Sequence, residues 1–241
     1  MQTIQSKLLN QFKNLTQCFT TKKMGNIAFH VNDKKIQVIQ NHKTLAKHLS
    51  YNVESLVHMK QIHSCEVREV QECDNFSTIP SCDALITDKK NIPLMVMVAD
   101  CAPVLFYDAQ KKVIAVAHAG RAGAFGNIIG ATLQSFSSKF NSNISDIYVS
   151  IGASIGVCCY EVGEEINTEA NAIGLGYAIS KQKNTYHLDI SKILYRQLID
   201  AGIEKEHIEI SQECTSCNRE KYFSYRAEKE TGRFCGVIMI G

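Results

Sequence analysis

The chain has 241 residues, enough for one large domain or two small ones with a substantial core. Hydrophobic residues make up 45% and charged residues 21%, and the formal net charge of +2 argues against a nucleic-acid-binding protein that relies on phosphate contacts. No apolar stretch reaches the roughly 18–20 residues that span a bilayer, and the N-terminal segment lacks the apolar core of a signal peptide. We therefore expect a cytoplasmic protein that binds neither nucleic acid nor membrane.

The first third of the chain alternates predicted helices and strands. An apolar stripe of near-helical spacing indicates a helix within residues 1–20. Two histidines of the next predicted helix, His42 and His48, are expected to be exposed. The further elements in chain order are a strand at Gly25–Val31, a helix at Lys34–Leu49, a strand at Leu56–His63 and a strand at Ser81–Thr87.

The central stretch is predicted to form a β-hairpin. The β-rich runs Leu94–Tyr107 and Val113–His118 flank a polar turn, Asp108–Lys111. If the hairpin closes around residues 109 and 110, Cys101 faces His118 directly, with Cβ atoms roughly 4.5–5.5 Å apart, which suits a shared metal ion. A slip of two residues would leave the pair diagonal on one face, whereas a slip of one would separate them.

The last part of the chain again mixes helices and strands, with no repeat or linker that would divide it. This organisation predicts an α+β fold, a layered α/β sandwich with a mixed β-sheet, in a single domain over residues 1–241. The predicted elements are helices at Ala124–Phe140, Glu164–Gly174 and Ile190–Gly202, and strands at Ile147–Gly152, Tyr186–Asp189, Ile208–Ser211 and Phe234–Ile240.

Ten cysteines are expected to be reduced, because the chain is large and shows no export signal. Cys214 and Cys217 form the only CxxC motif, and a metal knuckle would need a second pair. Cys158 and Cys159 are adjacent and cannot easily bridge each other. The sequence therefore predicts no structural zinc at the CxxC motif.

Three residues are candidate metal ligands. His63 ends a predicted strand and, with Cys101 and His118, makes a His₂Cys set. Three protein ligands with an open fourth position are typical of catalytic zinc, and copper is the second candidate because imidazole and thiolate also suit it. A cysteine or histidine alone at a strand end is usually a core residue, so the pairing carries the prediction. Asp100 is either an acceptor for a ligand, if the strand bends there, or a surface or structural carboxylate.

Several segments resemble the YfiH family, also called laccase-domain or polyphenol-oxidase-like proteins and described as purine nucleoside phosphorylases. Its three signature segments are similar to Gln61-Ile62-His63, Ala99–Val104 and His118-Ala119-Gly120. The similarity continues, in the family's order, from about residue 25 to the C-terminus, through residues 27–31, Asn41-His42, residues 151–163, Cys214-Thr215 and residues 223–226.

The resemblance implies a YfiH-like layered α/β sandwich in which His63, Cys101 and His118 bind the metal and carry catalysis. The implied activity is phosphorolysis of adenosine, inosine and methylthioadenosine to free base and sugar phosphate, with adenosine deamination alongside, so the partners are a purine nucleoside and phosphate. Candidate substrate contacts are Arg121 and Arg226 as phosphate clamps, Tyr225 in the base pocket, and His30. Each of these is equally compatible with a surface or packing role.

One segment departs from the family pattern. The family usually has His-Ala-Gly-Trp-Arg/Lys-Gly, whereas this chain has His118-Ala119-Gly120-Arg121-Ala122-Gly123 and no tryptophan at all. The basic residue therefore stands one position earlier. We expect the metal site to survive this change. The displaced basic residue could compensate for the change, or it could weaken phosphate binding and shift the substrate preference.

Other functions stay open at this point. A copper-dependent phenol oxidase is one, although eight histidines without a His-x-His pair argue against an ordinary multicopper oxidase. A metal-free hydrolase with Cys101 as nucleophile and His118 as its base is another. The last is a non-enzymatic factor linked to peptidoglycan precursor quality. Nothing in the sequence specifies an oligomeric state.

Overall fold

The structure is a computed structural model that describes residues 2–241. The strands of this part of the chain belong to three sheets. They are β1 (Thr3–Ile4), β2 (Leu15–Thr20), β3 (Val57–His58), β4 (Val67–Glu69), β5 (Ala84–Thr87), β6 (Leu94–Val98), β7 (Ala102–Asp108), β8 (Val113–Ala119), β9 (Ile147–Ile151), β10 (Glu161–Val162), β11 (Ile179–Gln182), β12 (Thr185–Leu188), β13 (Ile208–Ile210) and β14 (Phe234–Ile240).

The α-helices are α1 (Lys35–Leu49), α2 (Arg121–Phe125), α3 (Ile128–Phe140), α4 (Glu164–Ala172), α5 (Ile190–Asp200) and α6 (Tyr225–Glu228). Asn127 separates α2 from α3, because its φ of 64° lies in the left-handed region while its side chain caps α3 by accepting from Gly130 N. The single predicted helix Ala124–Phe140 is therefore wrong in its first turn. The predicted helices Lys34–Leu49 and Ile190–Gly202 are confirmed, with observed bounds of Lys35–Leu49 and Ile190–Asp200.

Two sheets form the centre of the molecule. The five-stranded sheet has the order β1-β2-β14-β6-β3, with β14 antiparallel to both β2 and β6, so the two ends of the chain pair in it. The six-stranded sheet has the order β13-β9-β7-β8-β5-β4, with parallel pairs at both edges and antiparallel pairs between them. A small sheet, β10-β12-β11, flanks them.

The two large sheets pack face to face with helices outside. Leu105 and Val116 of the six-stranded sheet share one apolar cluster with Val96 and Ile238 of the five-stranded sheet. The other face of the six-stranded sheet packs against α3 and α5, and the other face of the five-stranded sheet packs against Leu45 of α1. Because both faces of the central strands are covered, β7 and β8 are buried along their whole length. The predicted layered α/β sandwich with mixed sheets is confirmed.

Residues 2–31 differ most from their predicted structure. The stripe within residues 1–20 forms β1, β2 and a short 3₁₀ turn at Leu9–Gln11 instead of a helix. Pairing of β2 with β14, from Leu15↔Ile240 to Phe19↔Gly236, decides this outcome, since a distant partner overrides local periodicity. The predicted strand Gly25–Val31 is an irregular segment, fastened by Ile27 N donating to Arg233 O over 3.1 Å.

Within residues 2–241, no helix combines the length and apolar character needed to cross a bilayer. A cytoplasmic location and the single domain over residues 1–241 stay predictions.

Candidate active site

The chain crosses from one large sheet to the other at Asp100. The predicted strand Leu94–Tyr107 is two strands, β6 and β7, and Asp100 between them has φ of 86°. A non-glycine residue in this region is strained and persists only where its surroundings hold it. Here the Asp100 carbonyl accepts from Ile155 N over 2.8 Å. The bend places Cys101 at the edge of the sheet, directly before β7.

The carboxylate of Asp100 accepts hydrogen bonds from two C-terminal segments. It accepts 2.6 Å hydrogen bonds from Thr215 Oγ1 and from the backbone N–H of Arg226. The strand does bend, as one of the two alternatives for Asp100 required, but the carboxylate fastens two C-terminal segments to the bend. Asp100 is buried, so the second alternative is confirmed in its structural form and not as a surface carboxylate.

The central hairpin forms with a register two residues away from the predicted one. Pro103 pairs with His118 and Ala102 with Ala119. Asp108 Oδ1 accepts from the N–H groups of Gln110 and Lys111, each at 2.8 Å, which holds a longer loop than predicted. Cys101 and His118 are therefore diagonal on one face, the geometry expected for a two-residue slip.

The three predicted ligands lie together despite the slip. One ligand atom from each of His63, Cys101 and His118 is within 4.8 Å of the other two. The rings of His63 and His118 meet edge to face with centroids 4.9 Å apart. His63 is exposed and has φ of 59°, so the loop after β3 is held in a strained conformation at this point.

Asp83 organises two of the three residues, and sequence reasoning missed it. Its carboxylate accepts from the backbone N–H groups of His63, over 3.0 Å, and Ser64, over 2.6 Å, and from the Ser64 hydroxyl over 2.8 Å. The same carboxylate lies 2.8 Å from His118 Nδ1. Asp83 is fully buried directly before β5, and its one signal in the sequence was a charged residue within the predicted strand Ser81–Thr87.

The protonation of this group follows from its partners. Burial opposes ionisation of Asp83, but hydrogen bonds from His118 and Ser64 outweigh it and lower its pKa to about 2. An ionised carboxylate only accepts hydrogen bonds, so Nδ1 of His118 donates to Asp83 and Nε2 points toward the other candidate ligands. A carboxylate that orients a histidine in this way is common behind metal ligands.

Cys101 and His118 stabilise each other's charged forms. Burial raises the pKa of the Cys101 thiol, but the charge of His118 and hydrogen bonds from both histidines outweigh burial and lower it to about 6. Burial lowers the pKa of His118, while the Cys101 thiolate and Asp83 outweigh this and raise it to about 9. The site therefore favours a thiolate, which is the form of cysteine that binds metals and acts as a nucleophile.

Gly120 keeps the space beside these residues open. A Cβ atom at this position would lie 2.8 Å from Cys101 Sγ and 3.6 Å from His63 Cδ2. The glycine directly follows β8 and precedes α2. The close approach of Cys101 Sγ therefore favours glycine at this position.

The three residues line a cavity of about 1070 Å³. The predicted substrate contacts His30, Arg121, Tyr225 and Arg226 all line the same cavity. Tyr225 and Phe29 expose aromatic surface there, with 54% and 36% of their area accessible. The other basic residues of the lining are Lys60, Lys229 and Arg233. The cavity therefore combines aromatic faces with an excess of positive charge over its one carboxylate, Asp100.

The two candidate phosphate clamps have partners of different kinds. Arg121 Nη1 donates to Glu169 Oε2 over 3.0 Å in an exposed ion pair. Arg226 Nη1 donates to the carbonyls of Cys159, over 3.3 Å, and Glu161, over 2.9 Å, while the guanidinium lies 5.1 Å from the ring centre of Tyr160. Arg121 can exchange its partner at little cost, whereas Arg226 fixes the loop that carries Tyr160.

An aromatic cluster adjoins the cavity through Phe29 and His58. Phe29 stacks on His42 with ring centroids 5.4 Å apart, and Phe76 meets His58 edge to face at 5.3 Å. His42, predicted to be exposed, is buried, because its Nε2 lies 2.8 Å from the carbonyl of Ile27 and Phe29 covers its ring. His48 on the same helix is exposed, as predicted.

The chain is similar in sequence to several known proteins. The sequence model of the family described as "Multi-copper polyphenol oxidoreductase laccase" matches residues 17–241. The chain is 32% identical over 225 residues, covering 88% of this chain and 82% of the relative, to purine nucleoside phosphorylase YlmD of Geobacillus stearothermophilus. It is 29% identical over 212 residues, covering 83% and 80%, to adenosine deaminase RL5 of an unknown prokaryotic organism.

A solved structure shows the same fold. The crystal structure of the hypothetical protein YfiH of Bacillus licheniformis superposes with a TM-score of 0.90 and 30% identity, covering 97% of this chain and 94% of that one. The chain therefore belongs to the YfiH family, whose sequence model carries the description multi-copper polyphenol oxidoreductase laccase.

Proposed function

We propose that the protein is a zinc-dependent purine nucleoside phosphorylase that also deaminates adenosine. The observation that carries the proposal is the convergence of His63, Cys101 and His118 on one side of a cavity with aromatic and basic walls. The names of relatives, a purine nucleoside phosphorylase and an adenosine deaminase, support both activities. The substrates are a purine nucleoside, such as adenosine, inosine or methylthioadenosine, and inorganic phosphate.

The three residues fit a catalytic metal. Their donor atoms are close enough to share one ion, Asp83 leaves Nε2 of His118 available, and Gly120 keeps the space in front of Cys101 open. Two imidazoles and one thiolate suit zinc, with copper as the second candidate. A bound zinc ion would supply Lewis-acid polarisation of substrate atoms and lower the pKa of a water molecule.

The chain's own residues would bind and orient the two substrates. The exposed rings of Tyr225 and Phe29 offer faces for the purine, and His30 lines the same cavity. Arg121 would leave Glu169 and bind phosphate with two parallel hydrogen bonds. Arg226 would contact the same oxyanion with the guanidinium nitrogens that do not bond the loop carbonyls.

Phosphorolysis exchanges one bond for another. A phosphate oxygen forms a bond to the sugar C1′, the C1′–N bond to the purine breaks, and the base leaves with that electron pair and takes up a proton. A phosphate held by Arg121 on one face of the sugar supplies the nucleophile, and a purine held between aromatic side chains is positioned as the leaving group. Products are the free base and ribose 1-phosphate.

The test is adenosine turnover by the purified protein, with and without phosphate, resolved by chromatography. The proposal predicts adenine and ribose 1-phosphate only when phosphate is present, and inosine with ammonia in either case. Inosine without free base under all conditions would contradict the phosphorylase assignment and leave a deaminase. No turnover of adenosine by zinc-loaded protein would contradict both.

The family description favours a second candidate, a copper-dependent oxidase of phenols. In residues 2–241, however, the groups of three or more potential ligands within 4.8 Å are the His₂Cys set and one set of four cysteines, so the described chain offers one histidine-containing site. Oxygen uptake by the copper-loaded protein with a phenol would support this candidate. Turnover of adenosine by metal-free protein would instead support catalysis by the Cys101–His118 pair alone.

A further inference from the structure

Four cysteines gather at a second place in the molecule. One sulfur from each of Cys158, Cys159, Cys214 and Cys217 lies within 4.8 Å of the others. The expectation that the CxxC motif has no second pair is therefore wrong, because Cys158 and Cys159 supply it. Adjacent cysteines cannot easily bridge each other, but they can both face a third and a fourth thiol.

The sheet topology explains why these cysteines meet. Cys158 and Cys159 follow β9, while Cys214 and Cys217 follow β13. The strands β9 and β13 are parallel neighbours, with Ile210 opposite Ile151, so the loops after them leave the same edge of the sheet. Ser154 and Cys214 extend the parallel pairing by one bridge, and Thr215 N donates to Ser154 O over 3.0 Å.

Each loop is folded so that its thiols point together. The N–H groups of Cys159 and Tyr160 both donate to Gly156 O, over 2.9 and 3.0 Å, which closes a tight turn around Cys158. In the other loop Asn218 closes the CxxC turn by donating to Cys214 O from its backbone N, over 3.1 Å, and from Nδ2, over 2.8 Å. Hydrogen bonds close both turns, and all four cysteines are free.

The sulfur positions match those around one tetrahedral ion. Cys217 Sγ is 3.6 Å from Cys158 Sγ and 3.4 Å from Cys159 Sγ. Four sulfurs bonded at about 2.3 Å to one zinc ion would stand about 3.8 Å apart. Cys214 Sγ also accepts a hydrogen bond from Gly156 N over 3.2 Å, an arrangement that stabilises a thiolate.

We propose that Cys158, Cys159, Cys214 and Cys217 bind one zinc ion in a closed, four-sulfur structural site. The site shares no residue with the His63, Cys101 and His118 set, and its four protein ligands leave no position for substrate. A four-iron cluster fits less well, because its four thiolates bond different irons and stand farther apart. A single disulfide would use two of the thiols and would not account for the approach of the other two.

The proposed ion would fasten one wall of the substrate cavity. Arg226 donates to the carbonyl of Cys159, and Tyr160, the next residue, lines the cavity beneath the Arg226 guanidinium. On the other loop Thr215, next to Cys214, holds Asp100. Binding of zinc to the four cysteines would thus fix the loops that position Tyr160 and Asp100. The four cysteines are thus positioning residues for Tyr160 and Asp100.

Zinc content and zinc coordination test the proposal. We expect wild-type protein to bind two zinc ions per chain, and the double variant Cys101→Ser, His118→Ala to keep one. The X-ray absorption spectrum of that zinc should fit four sulfur neighbours at about 2.3 Å and no nitrogen. Cys217→Ser should lose this zinc and keep the other, with Cys73→Ser, an exposed cysteine outside both sites, as the control that keeps both.

The double variant makes the test independent of the stability of Cys217→Ser. Loss of all zinc from the double variant would overturn the proposal, as would a spectrum with nitrogen neighbours. Mass spectrometry of the native protein that showed a disulfide among the four cysteines, or alkylation of all four as fast as Cys73, would overturn it as well. None of these outcomes bears on adenosine turnover, so the proposed function is tested separately.

Discussion

The carboxylate of Asp83 lies 2.8 Å from Nδ1 of His118, and the same group accepts the backbone N–H of His63 over 3.0 Å. One buried side chain thus orients two candidate metal ligands that are 55 residues apart in sequence. The relationship explains how the loop after β3 and the end of β8 are held next to each other, so that His63 and His118 both lie near Cys101. It also makes Asp83 the residue whose loss should affect the site most without removing a ligand.

Asp83→Asn is expected to lower zinc affinity at the His63, Cys101 and His118 site by about 10- to 100-fold. This is the loss of metal affinity that mutation of residues orienting metal ligands typically causes. The amide lacks the charge that holds Nδ1 protonated and cannot accept all of the present hydrogen bonds. Competition with a chromophoric chelator measures the affinity. Asp88→Asn, an exposed carboxylate at the far end of β5, is the control and should leave it unchanged. Equal affinities for both variants would contradict the role of Asp83.

Gly120→Ala is expected to weaken the same site. The added Cβ would stand 2.8 Å from Cys101 Sγ, so either the thiolate or the backbone must move. We expect loss of bound zinc with little loss of folded protein, measured by elemental analysis beside circular dichroism. Gly241→Ala, where the nearest atom to a Cβ is 3.8 Å away, serves as the control. Full zinc content in Gly120→Ala would show that the site has more space than the structure indicates.

Arg121→Ala is expected to raise the KM for phosphate by about 10-fold or more, because a charge-assisted hydrogen bond contributes about 1.5–3 kcal/mol. Deamination of adenosine needs no phosphate and should change little. Initial rates at varied phosphate concentration measure the effect. Glu169→Gln, which frees the guanidinium from its ion pair, should lower the same KM or leave it unchanged. Equal loss of both activities in Arg121→Ala would assign Arg121 to the structure of the site.

Stability is expected to fall in mild acid because of His42 and His58. Burial lowers the pKa of each to about 4, and both ring nitrogens of His58 lack a hydrogen-bond partner among the described residues. The unfolded chain, with histidine pKa values near 6.5, binds more protons between about pH 6.5 and 4, so the free energy of unfolding decreases as the pH falls through this window. The maximum effect is about 3 kcal/mol per histidine.

Urea unfolding at a series of pH values measures this dependence. His58→Phe, which keeps an aromatic ring in the cluster with Phe29 and Phe76, should show a smaller decrease between pH 6.5 and 4 than wild type. His48→Gln, at an exposed position, should show the wild-type decrease. An identical pH dependence in His58→Phe and wild type would contradict burial of a neutral histidine at this position.

Local signals in the sequence were sufficient for most of the fold. Strand Phe234–Ile240 has the predicted bounds, and the helix Ile190–Asp200 ends two residues before the predicted glycine stop. The N-terminal segment could not be predicted in this way, because the strand Leu15–Thr20 exists through its pairing with the last strand of the chain. The helix-like spacing of its apolar residues was a weaker influence than that distant partner.

The candidate site could be predicted only in part for a similar reason. Cys101 and His118 are close in sequence and share a hairpin, so an approximate register was enough to place them together. Asp83, and the approach of Cys158 and Cys159 to Cys217, depend on which strands become neighbours in the sheet. Neither carries a spacing or periodicity that a single sequence reveals. The end of a predicted strand suggested His63, the family resemblance placed it beside the hairpin, and the structure supplies the contact that holds it.

The most direct test of the central claim is to measure zinc content and adenosine turnover of Cys101→Ala beside wild type. The account predicts one zinc ion fewer per chain than wild type, together with loss of both free base and inosine production. Cys65→Ser, a half-buried thiol near the same loop but outside the ligand set, should retain both zinc and turnover. Cys101→Ala protein that retained turnover would contradict metal-dependent catalysis at this site, and catalysis by the thiol as well.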